Sequence, residues 1–427
     1  MKAKRITVFV AIVLVLLIAV FVSQQTPYTA SLTQSYSPSP TISRFADDGY
    51  VLYVSDLKDL YPDVYESYMA GLSTVKDKDG KPHSHAGLRE AAENGEGLYR
   101  SFNGGIGCLA CKTSDLNRLY LKYGPQVWDM KYEDIESEVI DYWDCYICHQ
   151  NDPEHTVGAM ALTYQVLAED YLKTLSPGDA SCGQCHSIIG GYTRRLVSLP
   201  GQSLETLDPY RYGTDADAII KAFMEDGDTL VVDSENVEFF FAGHPDVEIF
   251  QGSNHQSQGL SCPSCHMVTE VNPKTGQQYI NHNASGSPLT NDTALTYCRT
   301  CHKSQGIADN DGMVSFVKQK QKALQEQSDA VLAKLEELHA LIVAGTDDPA
   351  IDRQARDLYV TAHWYRGYAD GGVEIAGAKA AHAYEAMSAY YSSALAYAKQ
   401  GIALYRNSPS VSPSPDSRVF TPPTMQR

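Results

Sequence analysis

Ten cysteines stand in five pairs, and two residues separate the cysteines of each pair. In four pairs a histidine follows the second cysteine directly, giving CYICH at 145–149, CGQCH at 182–186, CPSCH at 262–266 and CRTCH at 298–302. This combination is the attachment signature of c-type haem. The thiols would form thioethers to the haem, and the adjacent histidine would ligate the iron. The sequence therefore predicts four haems, with proximal ligands His149, His186, His266 and His302.

The fifth pair differs at one position, because CLACK places Lys112 where the others have histidine. The simplest interpretation is a fifth haem with Lys112 as its proximal ligand. Two alternatives stay open: the iron is ligated from elsewhere, or the two thiols form a lone redox pair. Zinc sites or disulfides explain the whole set poorly, since neither requires a histidine after the second cysteine four times over. Five haems would use every cysteine: Cys108, Cys111, Cys145, Cys148, Cys182, Cys185, Cys262, Cys265, Cys298 and Cys301.

The ligand on the other face of each iron decides whether that haem can react. A haem that only transfers electrons usually has protein ligands at both axial positions, whereas a reacting haem needs one position open. Four histidine-ligated haems need four more ligands, and nine histidines lie outside the motifs: His83, His85, His155, His244, His255, His282, His339, His363 and His382. This supply suffices for four bis-histidine haems. It does not by itself exclude a second ligand, such as His155 or His85, on the haem of Lys112.

The spacing of the motifs indicates the elements that must hold these ligands. Their first cysteines stand at 108, 145, 182, 262 and 298, so the intervals are 37, 37, 80 and 36 residues. Residues 187–261 are therefore an insertion beyond what linking two haems needs, and functional residues often lie in such loops. We predict one compact haem-stacking body, residues 46–312, in which the haems supply much of the apolar core.

After the last motif the sequence changes to a pattern typical of long helices. Residues 313–345 have apolar side chains at helical spacing, abundant Lys, Gln and Glu, and a terminal glycine. A second helical stretch opens at residues 347–349 and, with a break near Gly371 and Gly372, continues to about Tyr405. We predict a long-helix region, residues 313–405, that forms a homodimer. A helical cap on the chain's own haem body is the alternative.

Both ends of the chain differ in composition from this body. MKAKR precedes an uncharged apolar run at residues 6–22, which indicates export. The run is near the lower limit for a membrane span, and no clear cleavage site follows, so we favour a signal anchor at residues 1–23 over a cleaved signal peptide. Residues 24–45 and 406–427 have the composition of a disordered spacer and tail. The body would lie outside the cytoplasm, anchored to the membrane on the periplasmic or cell-surface side.

The net charge limits the partners of the chain. With 34 basic and 52 acidic residues the formal charge is −18, and ionised haem propionates would make it more negative. This charge argues against nucleic acid or an anionic lipid surface as a partner.

The chain resembles the ammonia-forming cytochrome c nitrite reductases in having CLACK followed by four CxxCH motifs, an AGHPD segment in the insertion and a long helical C-terminus. The resemblance extends from about Tyr61 to Tyr405. It implies a mainly α multihaem cytochrome c fold with little β structure. It also implies that nitrite binds at the open side of the lysine-ligated haem and receives six electrons to become ammonium. Four bis-histidine haems would supply these electrons from a membrane cytochrome that oxidises quinol.

The resemblance implies a distal arginine, tyrosine and histidine that bind and protonate the intermediates. AGHPD places His244 on the catalytic histidine of the family. For the arginine we take Arg89, in LREAAENG, over Arg100. For the tyrosine we take Tyr192, the nearest tyrosine after the third motif, although the family has a Glu-Tyr pair closer to that motif. Together with Lys112 these side chains form the expected catalytic set.

The resemblance also implies four distal haem ligands. They correspond to histidines in KPHSHAG, SNH and INH and in the C-terminal helices, and we take His83, His255, His282 and His382. Two choices stay open, since His85 is the alternative to His83 and His363 is the alternative to His382.

One metal of the family is expected to be missing. Many members hold calcium beside the active site through a glutamate before the tyrosine and a glutamine in a Lys-x-Gln-His-Pro-Glu segment. Here Ile188 or Gly191 and residues 241–243 occupy those positions, and their side chains supply no oxygen ligand for a hard cation. We therefore predict that calcium is absent, with Arg194 or Arg195 supplying positive charge near the distal pocket.

Two other functions are left open. A pentahaem cytochrome that only transfers electrons would have a sixth ligand on the haem of Lys112. A reductase of sulfite or hydroxylamine would use the same site as a nitrite reductase, and the sequence does not separate the two.

Overall fold

Helices carry nearly all of the described regular structure, which confirms the mainly α prediction. The computed structural model describes residues 53–74, 84–94, 109, 111–149, 171, 174–188, 210–226, 230–371 and 377–407, all within the unit Ser39–Arg427. The predicted anchor, the spacer and nearly all of the predicted tail lie outside these residues. Across the described ranges, no helix is both long and apolar enough to cross a membrane.

Short helices dominate the motif region, which we define as residues 84–302. Among the described residues, three helices precede it: α1 Val54–Leu60, α2 Pro62–Met69 and α3 Gly71–Thr74. Its own helices are α4 His85–Glu93, α5 Asp115–Tyr123, α6 Tyr132–Ile135, α7 Tyr146–His149, α8 Pro177–Gly183, α9 Ala216–Asp226, α10 Asp246–Phe250, α11 Asn254–Ser257, α12 Cys262–His266 and α13 Asp292–His302. Short 3₁₀ helices stand at Gly124–Asp129, Glu136–Glu138, Pro288–Thr290 and Lys303–Gln305.

The described strands form two antiparallel hairpins, with bounds β1 Leu230–Val232, β2 Glu238–Phe240, β3 Thr269–Val271 and β4 Gln278–Ile280. Val231 lies opposite Phe239 in the first hairpin, and Glu270 lies opposite Tyr279 in the second. The predicted catalytic histidine follows β2, and His282 follows β4. Each hairpin therefore fixes the start of a loop that carries a candidate functional residue.

Three long helices form the helical region, residues 310–406: α14 Asn310–Ala344, α15 Pro349–Asp370 and α16 Ala380–Arg406. Asp309 caps α14 by accepting a hydrogen bond from Gly312 N at 2.7 Å, and Asp348 caps α15 in the same way. Gly345 (φ 77°) and Gly371 (φ 67°) end α14 and α15 in a conformation that favours glycine. These bounds agree with the helix predicted at 313–345 and with the break predicted near Gly371.

Side chains of the three long helices interlock around an aromatic core. Helix α15 packs on α14 and α16 and runs antiparallel to α16, because Asp352 accepts from Tyr405 while Asp370, at the other end of α15, accepts from Tyr391. The residues buried at this interface include Trp364, Tyr368, Tyr391, Tyr405, Leu338 and Met387. Burial of such large apolar surfaces stabilises the helical region through its own side chains.

The helical region also packs against the insertion of the motif region. The Trp364 indole donates to the Ala216 carbonyl at 2.9 Å, and its ring centre lies 5.2 Å from that of Phe223. Helices α10 and α11 pack against α16. The first turn of α16 is thereby brought next to histidines of the motif region.

Candidate active site and haem-binding positions

Each motif histidine has a second histidine ring nearby, and His186 has two, His85 and His244. The ring-centre distances are 6.0 Å for His149 and His282, 6.3 Å for His186 and His85, 6.3 Å for His266 and His382, and 6.1 Å for His302 and His255. An imidazole nitrogen binds a metal at about 2 Å and its ring centre lies about 1 Å beyond, so two imidazoles on opposite faces of one metal have centres roughly 6 Å apart. The four pairs therefore fit four bis-histidine irons.

His85 is held in place by the start of α4. Ser84 caps this helix by accepting a hydrogen bond from Gly87 N at 2.9 Å. The backbone N–H of His85 donates to Ser285 Oγ at 3.1 Å. The helix start is thus tied to the loop that follows the fourth motif.

His282 is held by the β3–β4 hairpin. The Glu270 carboxylate accepts from the Tyr279 hydroxyl at 2.7 Å and from Asn281 Nδ2 at 2.9 Å, which closes the hairpin. His282 Nδ1 lies 2.8 Å from the carbonyl oxygen of Ile280. A donor role for Nδ1 leaves Nε2 as the nitrogen available to a metal.

His255 and His382 meet at the start of α16. Ser253 caps α11 by accepting from Gln256 N at 3.1 Å, and this fixes the backbone of His255. His255 Nδ1 lies 2.8 Å from the carbonyl oxygen of Ala381. His382 is the next residue, and its ring faces His266. The backbone of α16 therefore orients His255, and His382 in the same helix is itself a candidate ligand.

The competing histidines have other surroundings. The ring centre of His363 lies 4.7 Å from that of Phe239 and 5.9 Å from that of Tyr359, and within the described ranges no ring contact joins His363 to a motif histidine. His83 and His155 lie outside the described residues. The geometry therefore favours His382 over His363, and it places His85, the alternative to His83, opposite His186.

Burial keeps several of these imidazoles neutral, which is the form that binds a metal. It lowers the pKa of His85, His282 and His382 to about 4. His186 behaves differently. Burial alone would lower its pKa, but the hydrogen bond and the charge of Asp246 raise the pKa of His186 above its usual value.

The third motif touches three of the other motifs. Cys185 Sγ lies 3.5 Å from the carbonyl oxygen of Cys111 in the first motif. Gln184 Nε2 donates to the carbonyl oxygen of Ile147 in the second motif at 2.9 Å. Helix α8 of the third motif packs against α12 of the fourth. The first, second and fourth motifs therefore all adjoin the third.

Lys112 stands in a turn that is tied to the chain before the second motif. Its N–H donates to the carbonyl oxygen of Leu109 at 2.8 Å, and its carbonyl accepts from Trp143 N at 2.6 Å. The hydroxyl of Thr113 donates to the Asp141 carbonyl at 2.7 Å. These bonds fix the backbone on both sides of Lys112, the residue that stands where the other motifs have histidine.

His244 lies in the loop between β2 and α10. Its N–H donates to the Ser187 carbonyl at 3.3 Å, and its ring centre is 6.1 Å from that of His186. Burial, followed by the charges of His186 and Lys379, lowers the pKa of His244 to about 4, and Lys112 adds to this effect. His244 is therefore a half-buried neutral imidazole within electrostatic reach of Lys112. Such a group can donate or accept a hydrogen bond.

Arg89 lies in α4 with its guanidinium paired to two carboxylates. Nε is 2.8 Å from Asp141 Oδ1, and Nη2 is 2.7 Å from Glu93 Oε1. Burial alone would lower the pKa of Arg89, but Asp141 and Glu93 raise it, so the side chain stays a cation. Its role as the substrate arginine stays a prediction. Four other residues of the predicted site lie outside the described ones: Tyr192, Arg194, Arg195 and Cys108.

Three charged residues near His244 were not singled out from the sequence. Asp246 contacts His186 at 3.0 Å and forms an ion pair with Lys379. The Glu248 carboxylate accepts from Ile188 N at 2.8 Å, and burial raises the pKa of Glu248 to about 7. The two acidic residues are visible in HPDVE, directly after the predicted catalytic histidine. Lys379 carried no such signal, because it comes from the far end of the chain.

Proteins similar in sequence to this chain carry the name cytochrome c-552. The family model described as Cytochrome c552 matches residues 83–411. A protein named Cytochrome c-552 from Desulfotalea psychrophila is 26% identical over 254 residues, which cover 53% of this chain and 46% of that protein. A Cytochrome c-552 from Haemophilus ducreyi is 24% identical over 286 residues, which cover 62% of this chain and 53% of that protein. The chain thus spans about half the length of these curated relatives.

A solved structure of similar fold is the cytochrome c nitrite reductase from Desulfovibrio desulfuricans. The TM-score is 0.64 at 17% sequence identity, and the match covers 83% of this chain and 86% of that chain. That protein is described as having two calcium sites in the structure of its catalytic subunit. Since the family model spans most of this sequence, the chain belongs to the cytochrome c552 family, whose members carry covalently bound haem c.

Proposed function

We propose that this chain reduces nitrite to ammonium at a haem whose proximal ligand is Lys112, and that four bis-histidine haems deliver the electrons. This proposal rests on unequal ligation, by which we mean that the five motifs do not offer the same iron ligands. Four motif histidines each face a second histidine at 6.0–6.3 Å, whereas the remaining motif offers Lys112 instead of a histidine. Haem with an open axial position supplies an iron site for nitrite and a route for electrons.

The contacts between motifs support a path for the electrons. The third motif adjoins the first through Cys185 and Cys111, and it adjoins the fourth through α8 and α12. His255, which faces His302 of the fifth motif, lies 2.8 Å from the Ala381 carbonyl through its Nδ1, and the next residue, His382, faces His266 of the fourth motif. The fifth, fourth, third and first motifs thus adjoin one another in that order, and the first contains Lys112.

His244 is the side chain we propose as proton donor and hydrogen-bond partner of the bound anion. Reduction of nitrogen from +3 to −3 takes up several protons together with six electrons, so the site needs polar groups that are not haem ligands. His244 is half-buried, neutral and within electrostatic reach of Lys112. Tyr192 is proposed as a second donor on the sequence resemblance alone.

Arg89 is the proposed cation for nitrite binding. A guanidinium has five N–H donors, and the described contacts use Nε for Asp141 and both Nη atoms for Glu93. Nitrite binding would use the donors that remain. Arg194 or Arg195 would add positive charge, which lowers the free energy of a bound anion.

We also propose that the protein is exported and anchored to the membrane, that it receives electrons from a membrane cytochrome, and that it forms a homodimer. Export and anchoring are supported by the basic and apolar N-terminal sequence. An extracytoplasmic body would receive electrons from a membrane cytochrome that oxidises quinol. The length of α14, 35 residues, supports a homodimer through the helical region.

One observation bears on the rival function of an electron-transfer cytochrome. That function requires a sixth ligand on the haem of Lys112, for which His85 was one candidate. His85 lies 6.3 Å from His186, where it would serve a different iron. This position supports an open site at Lys112 as far as His85 is concerned, and His155, the other candidate, lies outside the described residues.

The test is an assay of the purified holoprotein with a strong artificial reductant and nitrite, in which ammonium is quantified. We expect one ammonium for each nitrite consumed and six reducing equivalents for each ammonium formed. Parallel assays with sulfite and hydroxylamine compare the three substrates. Absence of nitrite consumption in protein with its full haem complement would contradict the proposed function.

A further inference from the structure

Asp246 is a buried carboxylate that contacts two candidate haem ligands. Its Oδ2 lies 3.0 Å from His186 Nδ1, and its Oδ1 lies 3.8 Å from His382 Nδ1. Oδ1 also forms an ion pair with Lys379, whose Nζ donates to the Gly371 carbonyl at 2.9 Å. The side chain therefore bridges a motif histidine and a fixed cation at the start of α16.

The acceptor at His186 differs in charge from those of the other histidines. Their Nδ1 atoms lie near neutral oxygens: 3.0 Å from Ala284 O for His266, 2.8 Å from Ile280 O for His282, 2.8 Å from Ala381 O for His255 and 3.1 Å from Gln305 Oε1 for His302. Among the motif histidines whose Nδ1 hydrogen bond is described, His186 is thus the one with a carboxylate acceptor.

A carboxylate at Nδ1 changes the metal-binding strength of an imidazole. It attracts the Nδ1 proton, so Nε2 becomes a stronger donor, and its negative charge stabilises the more positive oxidation state of the bound metal. Both effects lower the reduction potential of the haem at His186 relative to the same haem with a neutral acceptor. Lys379 opposes them, because it withdraws charge from the carboxylate.

We propose that Asp246 lowers the reduction potential of the haem of His186, which favours electron transfer from it to the haem of Lys112, and that Lys379 limits this effect. Cys185 of the third motif lies against Cys111 of the first. The haem of His186 would therefore be a neighbour of the haem of Lys112 and could donate electrons to it. One electron leaves the His186 site, which is oxidised, and enters the Lys112 site, which is reduced. The direction of this transfer rests on the proposed function, whereas the shift in potential requires only a haem at His186.

The test is a spectroelectrochemical titration of the full-length holoprotein without nitrite, combined with electron paramagnetic resonance of the low-spin haems. In Asp246→Asn, a neutral residue of the same shape, we expect the midpoint potential of the His186 haem to rise most and its g values to change, with a smaller rise at the haem of His266, whose second histidine, His382, lies 3.8 Å from Asp246. In Lys379→Gln we expect the potential of the His186 haem to fall. Lys379→Arg, which keeps the cation, should restore the wild-type potential.

Asp233→Asn is the matched control. Asp233 Oδ2 lies 2.7 Å from Nε2 of the buried His339, and the two are not part of a histidine pair at a motif. This variant also removes a buried carboxylate–histidine contact, yet every haem potential should stay unchanged.

Two results would overturn the proposal. One is an unchanged set of potentials in Asp246→Asn, and the other is a shift of the same sign in Asp246→Asn and Lys379→Gln, which would indicate altered packing. If Asp246→Asn fails to retain its haems, the sign of the shift in Lys379→Gln decides. Failure of wild-type protein to reduce nitrite would contradict the proposed function and leave these potential shifts intact.

Discussion

The motif region and the helical region are stabilised in different ways. Helices of the motif region have four to eleven residues and carry cysteines and histidines that converge in pairs. Helices of the helical region have 35, 22 and 27 residues and bury aromatic and aliphatic side chains against each other. Isolated short helices are marginal in water, whereas long packed helices are stabilised by their own side chains. The comparison indicates that haem holds the first region together and packing holds the second.

The largest expected effect comes from leaving the haems out. In chain produced without haem attachment, we expect amide hydrogens of residues 111–149 and 174–188 to exchange freely, because their short helices lose the group around which they pack. Amides of α14 and α15 should stay protected. Hydrogen exchange followed by mass spectrometry measures both regions in one sample, with holoprotein as the reference. Equal protection of the two regions in haem-free chain would refute the contrast.

Replacing the proximal lysine tests the chemistry of the motif region alone. Lys112→His should retain haem attachment, since Cys108 and Cys111 are unchanged, but it exchanges an amine donor for an imidazole. We expect nitrite turnover to fall by roughly tenfold or more, in the range seen when the donor strength at a metal is altered. Steady-state assays at matched haem content measure the change. Kinetics identical to wild type would mean that the lysine has no special role.

A core substitution tests the helical region alone. Leu338 is fully buried in α14, and Leu338→Ala should lower the free energy of unfolding by about 2–5 kcal/mol through lost burial and a cavity. Val343→Ala, at a position 44% exposed on the same helix, is the control and should cost far less. Denaturant unfolding measures both. The haem spectrum of folded Leu338→Ala should match wild type, and a changed spectrum would show that the two regions are not separable in this way.

The smallest expected effect is that of a calcium chelator. The residues that correspond to the calcium-binding positions of the family supply no side-chain oxygens. We therefore expect nitrite turnover after exhaustive chelation to equal that of untreated enzyme, with added calcium as the reversal control. A stoichiometric calcium in elemental analysis, whose removal abolishes activity, would show that SIIGGYTRR and FAGHPD are aligned wrongly with the pocket of the family.

Features that depend on local sequence were predictable. The motif histidines follow their cysteines directly, and Gly345 and Gly371 mark the C-terminal ends of α14 and α15. The choice of His382 over His363 could only be made by resemblance, because both lie in helices and their partners come from distant segments. His85 and His83 are two residues apart, and sequence reasoning took the one that lies outside the described residues.

Contacts between distant segments were not predictable. The pair of Asp246 and Lys379 joins the loop of the predicted catalytic histidine to the start of α16, and its formation depends on how α16 packs against α10. Glu248 is similar, since its pKa of about 7 results from burial that no local pattern indicates. Charge type is visible in a sequence, whereas burial and partners are properties of the fold.

The spin states of the resting ferric protein test the central claim, unequal ligation, most directly. Electron paramagnetic resonance and magnetic circular dichroism, with haem content fixed by the pyridine haemochrome assay, count low-spin and high-spin irons. The account predicts five covalent haems, of which four are low-spin with two histidine ligands and one is high-spin because its distal side holds only water or an anion. Five low-spin haems would contradict it, because the site at Lys112 would then be closed to nitrite.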